Sequence, residues 1–210
     1  MAFSGEHIEL ACKQLGKRDR VLRRVIEQVG PFTLKTQRNY FQILVRSIVS
    51  QQISTAAART ILQRLSDHVH PEKISPAALS QLDLATLRSL GLSTQKAGYA
   101  IDLTQRVVDG HLNLKAISRR PDEAVIAELT QVKGIGVWTA HMFMIFALGR
   151  LDVLPVGDFG IRNAIQRQYD LPEMPKPSEV EVIAQPWRPY ASIASWYLWR
   201  SLDSKKNTKT

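Results

Sequence analysis

Leu129-Thr130-Gln131-Val132-Lys133-Gly134-Ile135-Gly136-Val137-Trp138-Thr139-Ala140-His141-Met142-Phe143 reads as a helix, a turn bracketed by two glycines, and a second helix. Gly134 permits the positive φ that ends the first helix. Gly136, lacking a side chain, lets backbone at the amino end of the second helix approach a bulky anion. The N–H groups there would grip a phosphate without reading a base, with Lys133 adding charge and Thr139 in the same phosphate-binding set. A bare G-x-G is more often an ordinary helical corner, so the surrounding sequence has to decide.

That surrounding sequence is helical nearly throughout. Asp19 caps an apolar run at helical spacing, Val21, Leu22, Val25, Ile26 and Val29, which Gly30-Pro31 stops. Tyr40 to Val49 forms a second run, and Ser54 opens a third through Leu65. Ser75-Pro76 is a cap followed by a first-turn proline, Asp83 caps a short helix ending at Gly91, and Ser93 or Thr94 starts one that closes at Gly110. Pro121 opens the helix that leads into the hairpin, Val137 to Leu148 follows it, and Asp158 to Tyr169 and Trp187 to Leu202 are the last two helices. No segment alternates apolar and polar residues as a strand would. The fold class is all-α, with residues 1–203 as one globular unit and 204–210, SKKNTKT, as a basic disordered tail.

Length and composition narrow the function. The 210 residues, 44% hydrophobic, suffice for a substantial core, and 28 Lys and Arg against 19 Asp and Glu leave +9, a balance suited to nucleic acid. The single cysteine, Cys12, excludes a disulfide framework and a four-cysteine cluster, and indicates a reducing compartment. With no signal core and no membrane-length apolar stretch, the reading is a protein of the bacterial cytoplasm or the eukaryotic nucleus, with no membrane partner.

Beyond the hairpin comes Asp152-Val-Leu-Pro155-Val-Gly157-Asp158-Phe-Gly-Ile-Arg162. Taken alone, Asp158 is a good N-cap for the helix that follows. Hairpin, loop and aspartate together resemble the helix-hairpin-helix base-excision DNA glycosylase superfamily, especially its 3-methyladenine DNA glycosylase II (AlkA-like) branch. The resemblance extends to Leu44-Val-Arg-Ser-Ile-Val-Ser-Gln51-Gln52-Ile-Ser54, to Gln95-Lys96-Ala97, and to Trp187 through Trp199. It implies two interleaved helical lobes with a DNA-binding cleft between them, without the amino-terminal β-rich domain of larger relatives.

By this resemblance Asp158 is the catalytic carboxylate, and a cap would hold it where the helix dipole favours negative charge. As a damaged base leaves, deoxyribose gains oxocarbenium-like charge, which a fixed carboxylate stabilises while positioning or deprotonating water. Ring-alkylated bases are already cationic leaving groups, so no second carboxylate is needed as an acid. Relatives that form a Schiff base carry lysine two residues after the second glycine; Trp138 stands there, which implies hydrolysis alone, leaving an abasic site. Trp138, Met142 and Trp199 match the base pocket, where indole faces attract a cationic purine. Met142 replaces an aromatic residue and puts the range of bases in question. Gln51 and Gln52 match the stretch that enters the minor groove, with Gln52 as the wedge that fills the gap left by the flipped nucleotide.

No cofactor is implied beyond a Na+ or K+ ion at the backbone carbonyls of Thr130, Val132 and Gly134. Lys96, Lys133 and Arg162 are candidates for phosphate or structural contacts, and His68 and His70 read as solvated loop histidines. The expected partner is double-stranded DNA carrying alkylated bases, bound by a monomer. Two rivals stay open: a non-catalytic helix-hairpin-helix DNA-binding module, and a related glycosylase for deaminated or oxidised bases.

Overall fold

A computed structural model describes Phe3 and residues 5–203, so the basic tail lies outside the described residues. Twelve α-helices account for most of them and no strand occurs among them: α1 (Gly5–Arg18), α2 (Arg20–Val29), α3 (Tyr40–Ser50), α4 (Thr55–His68), α5 (Pro76–Leu79), α6 (Leu84–Ser89), α7 (Thr94–Val108), α8 (Asp122–Thr130), α9 (Val137–Phe143), α10 (Phe159–Gln168), α11 (Pro177–Ile183) and α12 (Ala191–Asp203). No described helix is long and apolar enough to cross a membrane.

Seven helix starts among the described residues follow from one local device, a short polar side chain accepting from a first-turn N–H that has no intrahelical acceptor. Asp19, Asn39, Ser54, Ser75, Asp83, Ser93 and Asp158 all do this, Asn39 alone not having been expected. Gly30, at φ 82°, ends α2 where the sequence places a stop.

Four boundaries differ from the reading. Helix α1 precedes the first expected helix, with Ala11 and Leu15 buried on one face. Helix α11 was also unforeseen; Pro177 sits in its first turn, and the Lys176 N–H donates to the Glu179 carboxylate at 2.6 Å. The expected helix Val137–Leu148 is α-helical only to Phe143 and continues as a π-helical turn, Met144–Leu148, closed by Gly149 at φ 67°. The last helix starts at Ala191 rather than Trp187, because a residue before proline is pushed out of the α region. Arg188, preceding Pro189, is extended at ψ 137° after a 3-10 turn over Gln185–Trp187.

The chain divides into two compact units, one running up to Thr36 and resuming at Met144, the other Gln37–Phe143. In the first, α1, α2, α10, α11 and α12 close around Leu15, Leu22, Val25, Ile161, Ile165, Trp187 and Leu198, each at most 1% exposed. Burial of a side chain this size stabilises by roughly 1.5–3 kcal/mol. In the second, α3 to α9 bury Leu44, Ile48, Leu65, Leu103 and Leu129, and Tyr40 meets Phe143 edge-on at 5.4 Å.

Candidate functional site

Asp158 ends the irregular segment Leu151 to Gly157 and caps α10. Its backbone is extended (φ −70°, ψ 124°), and its carbonyl accepts the first helical bond from the Arg162 N–H at 3.0 Å. The side chain is only 8% exposed. A carboxylate at such depth needs hydrogen bonds to offset lost hydration. Oδ1 accepts from the Ile161 N–H at 2.8 Å and from the Trp199 indole N–H at 2.8 Å. Two donors from different helices, α10 and α12, converge on one oxygen and fix the carboxylate plane.

Gly160 makes room for this arrangement. A Cβ there would lie 3.0 Å from Asp158 Oδ1 and 3.0 Å from Trp199 Cδ1, closer than ordinary contact. The half-buried Trp199 ring in turn stacks on Phe146 of the π turn, centroids 5.6 Å apart at 29°. Neither Gly160 nor Phe146 was singled out from the sequence. The signal for Gly160 was a glycine in the first turn of a helix, where it lowers helix propensity without ending anything; nothing local marked Phe146.

In the Gln37–Phe143 unit the hairpin has the expected form. Gly134 adopts φ 80°, and a Cβ there would sit 2.1 Å from the Tyr99 ring, so both conformation and space require glycine. Ile135 is buried, 3% exposed, and plugs the turn, while Gly136, Val137 and Trp138 are exposed at the start of α9. Lys133 is exposed, its N–H donating to Asp102 Oδ2 at 2.9 Å. Thr139, expected among the phosphate-binding residues, is 6% exposed. The Val132 carbonyl accepts from Ile135 at 3.0 Å and that of Gly134 from Gln51 Nε2 at 2.8 Å. A carbonyl oxygen has two lone pairs, so each of these keeps one that suits a cation.

The turn between α3 and α4 separates the two glutamines. Gln51 is half-buried, its amide tied to the hairpin at Gly134; Gln52 is exposed and left-handed, φ 54°, uncommon for a non-glycine residue. Lys96 does not face outward. Its ammonium donates to the carbonyls of Val49 at 2.8 Å and Gln51 at 2.5 Å, and desolvation pulls its pKa below the usual lysine range.

Among the other expected residues, Trp138 is 51% exposed and Met142 half-buried, both in the hairpin's unit, whereas Trp187 and Trp196 pack in the core of the other. Arg162 Nε donates to the Pro175 carbonyl at 2.8 Å, a structural contact. His68 and His70 are exposed, and no His, Cys, Asp and Glu cluster among the described residues could hold a metal ion. His141 is half-buried, and desolvation lowers its pKa against the opposing pull of Asp122.

Chemically, one unit offers a buried, rigidly held carboxylate against an indole. The other offers a glycine hairpin with exposed backbone and an exposed glutamine on a tight turn. Residues 45–189 match the family described as HhH-GPD superfamily base excision DNA repair protein. The chain is similar to a DNA-3-methyladenine glycosidase from Bacillus halodurans, with 35% identity and a TM-score of 0.85 over 94% of this chain and 91% of that one. It is also similar to the Schizosaccharomyces pombe 3-methyladenine DNA glycosylase Mag1, solved in complex with abasic DNA, with 28% identity and a TM-score of 0.83 over 92% and 96%. YfjP of Bacillus subtilis, whose name proposes DNA-3-methyladenine glycosylase activity, is 30% identical over 87% of this chain, which spans 66% of YfjP.

Proposed function

The chain belongs to the HhH-GPD superfamily of base excision DNA repair proteins, and from that premise we propose that it is a monofunctional DNA glycosylase that releases alkylated bases, of the 3-methyladenine and 7-methylguanine type, from duplex DNA. The carrying observation is Asp158, buried at the amino end of α10 with two N–H donors on Oδ1. A carboxylate held this way cannot swing to follow its substrate, so its charge is already in place when positive charge develops on the deoxyribose. Water attacks the anomeric carbon and gives up a proton, through Asp158, to solvent; the glycosidic bond breaks, and the base leaves with the bonding pair, neutralising its own positive charge. The product is an abasic site.

The remaining residues divide the work of reaching the lesion. Gln52, exposed on its left-handed turn, is the wedge that offsets the few kcal/mol of unstacking and unpairing. The hairpin grips a phosphate through backbone N–H groups of Gly134, Gly136 and Thr139, with the exposed Lys133 ammonium adding charge. A monovalent cation on the carbonyls of Thr130, Val132 and Gly134 would stiffen that turn. Trp138, Met142 and Trp199 are the base-binding side chains, the indoles favouring cationic purines. The protein acts as a monomer.

The reading is tested by base release from duplexes carrying 7-methylguanine, 3-methyladenine, hypoxanthine or 8-oxoguanine, with Asp158→Asn alongside. Release from the methylated duplexes only, lost in the variant while DNA affinity persists, is the expected result. Affinity without release from any duplex would make the chain a binding module. Borohydride trapping should capture no covalent complex; a trapped lysine would refute the purely hydrolytic mechanism.

A further inference from the structure

We infer that one face of α7 is a bracket that holds the wedge turn and the hairpin turn at a set spacing, with Lys96 as a positioning residue for base flipping. The inference rests on the glycosylase reading, and it assigns Lys96 a role other than contact with DNA.

Lys96, Tyr99 and Asp102 follow one another at three-residue steps, so they share one side of the helix. Lys96 Nζ bonds the Val49 and Gln51 carbonyls, at the carboxyl end of α3, where carbonyls lack helical partners and the dipole is negative. The next residue is the left-handed Gln52. Asp102 Oδ2 accepts from the Lys133 N–H at 2.9 Å and is itself held by Arg106 Nε at 3.0 Å. Between them the Tyr99 ring occupies the space a Gly134 side chain would need, and Gln95 Nε2 donates to its hydroxyl at 2.7 Å. A fourth link joins the two turns directly, Gln51 Nε2 to the Gly134 carbonyl at 2.8 Å.

The arrangement gives Lys96 a specific task. A conformation at φ 54° persists in a glutamine only when its surroundings over-determine it. The ammonium pins the two carbonyls before Gln52, so the wedge is presented before DNA arrives rather than ordered afterwards. Pre-organisation of this kind acts on the flipping step, not on bond cleavage.

The test is Lys96→Met, which keeps the aliphatic stem and removes the ammonium, beside Lys96→Arg. Single-turnover release of 7-methylguanine is measured opposite a normal base and opposite a missing base, where flipping is easier. The fluorescence rise of 2-aminopurine next to an abasic site reports wedge insertion without chemistry. Lys96→Met should lose about ten- to a hundredfold in rate on the paired substrate, the range for a lost hydrogen bond to a charged group. The loss should shrink on the unpaired one, the fluorescence rise should fall, and Lys96→Arg should restore most of both. An equal loss on both substrates with undiminished fluorescence would overturn the bracket. Should Lys96→Met fail to fold, Gln51→Ala breaks the link to Gly134 and must show the same substrate dependence. If the wild-type chain releases no base, the glycosylase reading fails separately, and the fluorescence of the abasic duplex still decides the bracket.

Discussion

Asp19 and Asp158 are built alike. Each is a buried aspartate, 9% and 8% exposed, that caps a helix and accepts an indole N–H, from Trp187 at 2.9 Å and from Trp199 at 2.8 Å. Their settings diverge from there. Asp19 Oδ1 accepts from Val21 and Leu22, and Oδ2 from Trp187 and the Tyr169 hydroxyl, so four donors surround it in the core. Its indole is fully buried. Both donors to Asp158 named above fall on Oδ1, its indole is half-buried, and a glycine two residues on brings the partners together. Under the proposed function the first aspartate is a structural pin and the second a chemical group, and what distinguishes their surroundings is a fully buried indole against a half-buried one.

The largest expected effect separates the two by rate. Asp158→Asn keeps the cap but removes the charge, and should lower single-turnover base release by about a thousandfold, the scale of a lost preorganised electrostatic group. Asp19→Asn should leave the rate within a few-fold; a comparable loss there would break the comparison. Stability should run the other way. Asp19→Ala strands two backbone N–H groups, a phenol and an indole, and should destabilise by about 3 kcal/mol in denaturant unfolding.

The tryptophans sharpen the contrast at smaller magnitude. Trp199→Phe deletes the donor to Asp158 and should cost about tenfold in rate, as for one hydrogen bond to a charged group. Trp187→Phe should change the denaturation midpoint and not the rate. Gly160→Ala should slow release several-fold by pressing on Asp158 and Trp199, while helix propensity gains up to about 1 kcal/mol. A fully active Gly160→Ala enzyme would show that the tight approach has no catalytic consequence.

The smallest effect is in pH. Burial first, then the Asp19 hydrogen bond and charge, hold the Tyr169 phenol protonated well above its ordinary pKa of 10.0. Its folded pKa exceeds its unfolded one, so its contribution is complete below pH 10.0 and declines as pH rises above that. Tyr169→Phe should flatten the alkaline limb of the stability profile, and no such change should follow Trp199→Phe.

What could be read before any coordinates follows the range of the forces. Caps at Asp19, Ser54, Ser75, Asp83, Ser93 and Asp158 satisfy N–H groups two or three residues away, so residue type and position suffice. The left-handed Gly134 was legible for the same reason. Helix α11 escaped because its N-cap position holds Lys176, a residue type that does not mark a helix start. Lys96 was left open between phosphate and structural contacts, because a single basic residue in a sequence does not show what it faces. Its carbonyl partners lie 45 and 47 residues away, a distance no local pattern conveys.

The linear order of residues determined the helices, the hairpin turn and the carboxylate's place at a helix start, since each depends on neighbours a few positions apart. Only tertiary structure decided which aspartate rests against a half-buried indole, that Gly160 and Phe146 belong to that site, and that Gln51 faces the hairpin while Gln52 faces solvent. Those outcomes depend on contacts between groups far apart in the chain. A burial or hydrogen bond of that kind exists only once the helices have packed.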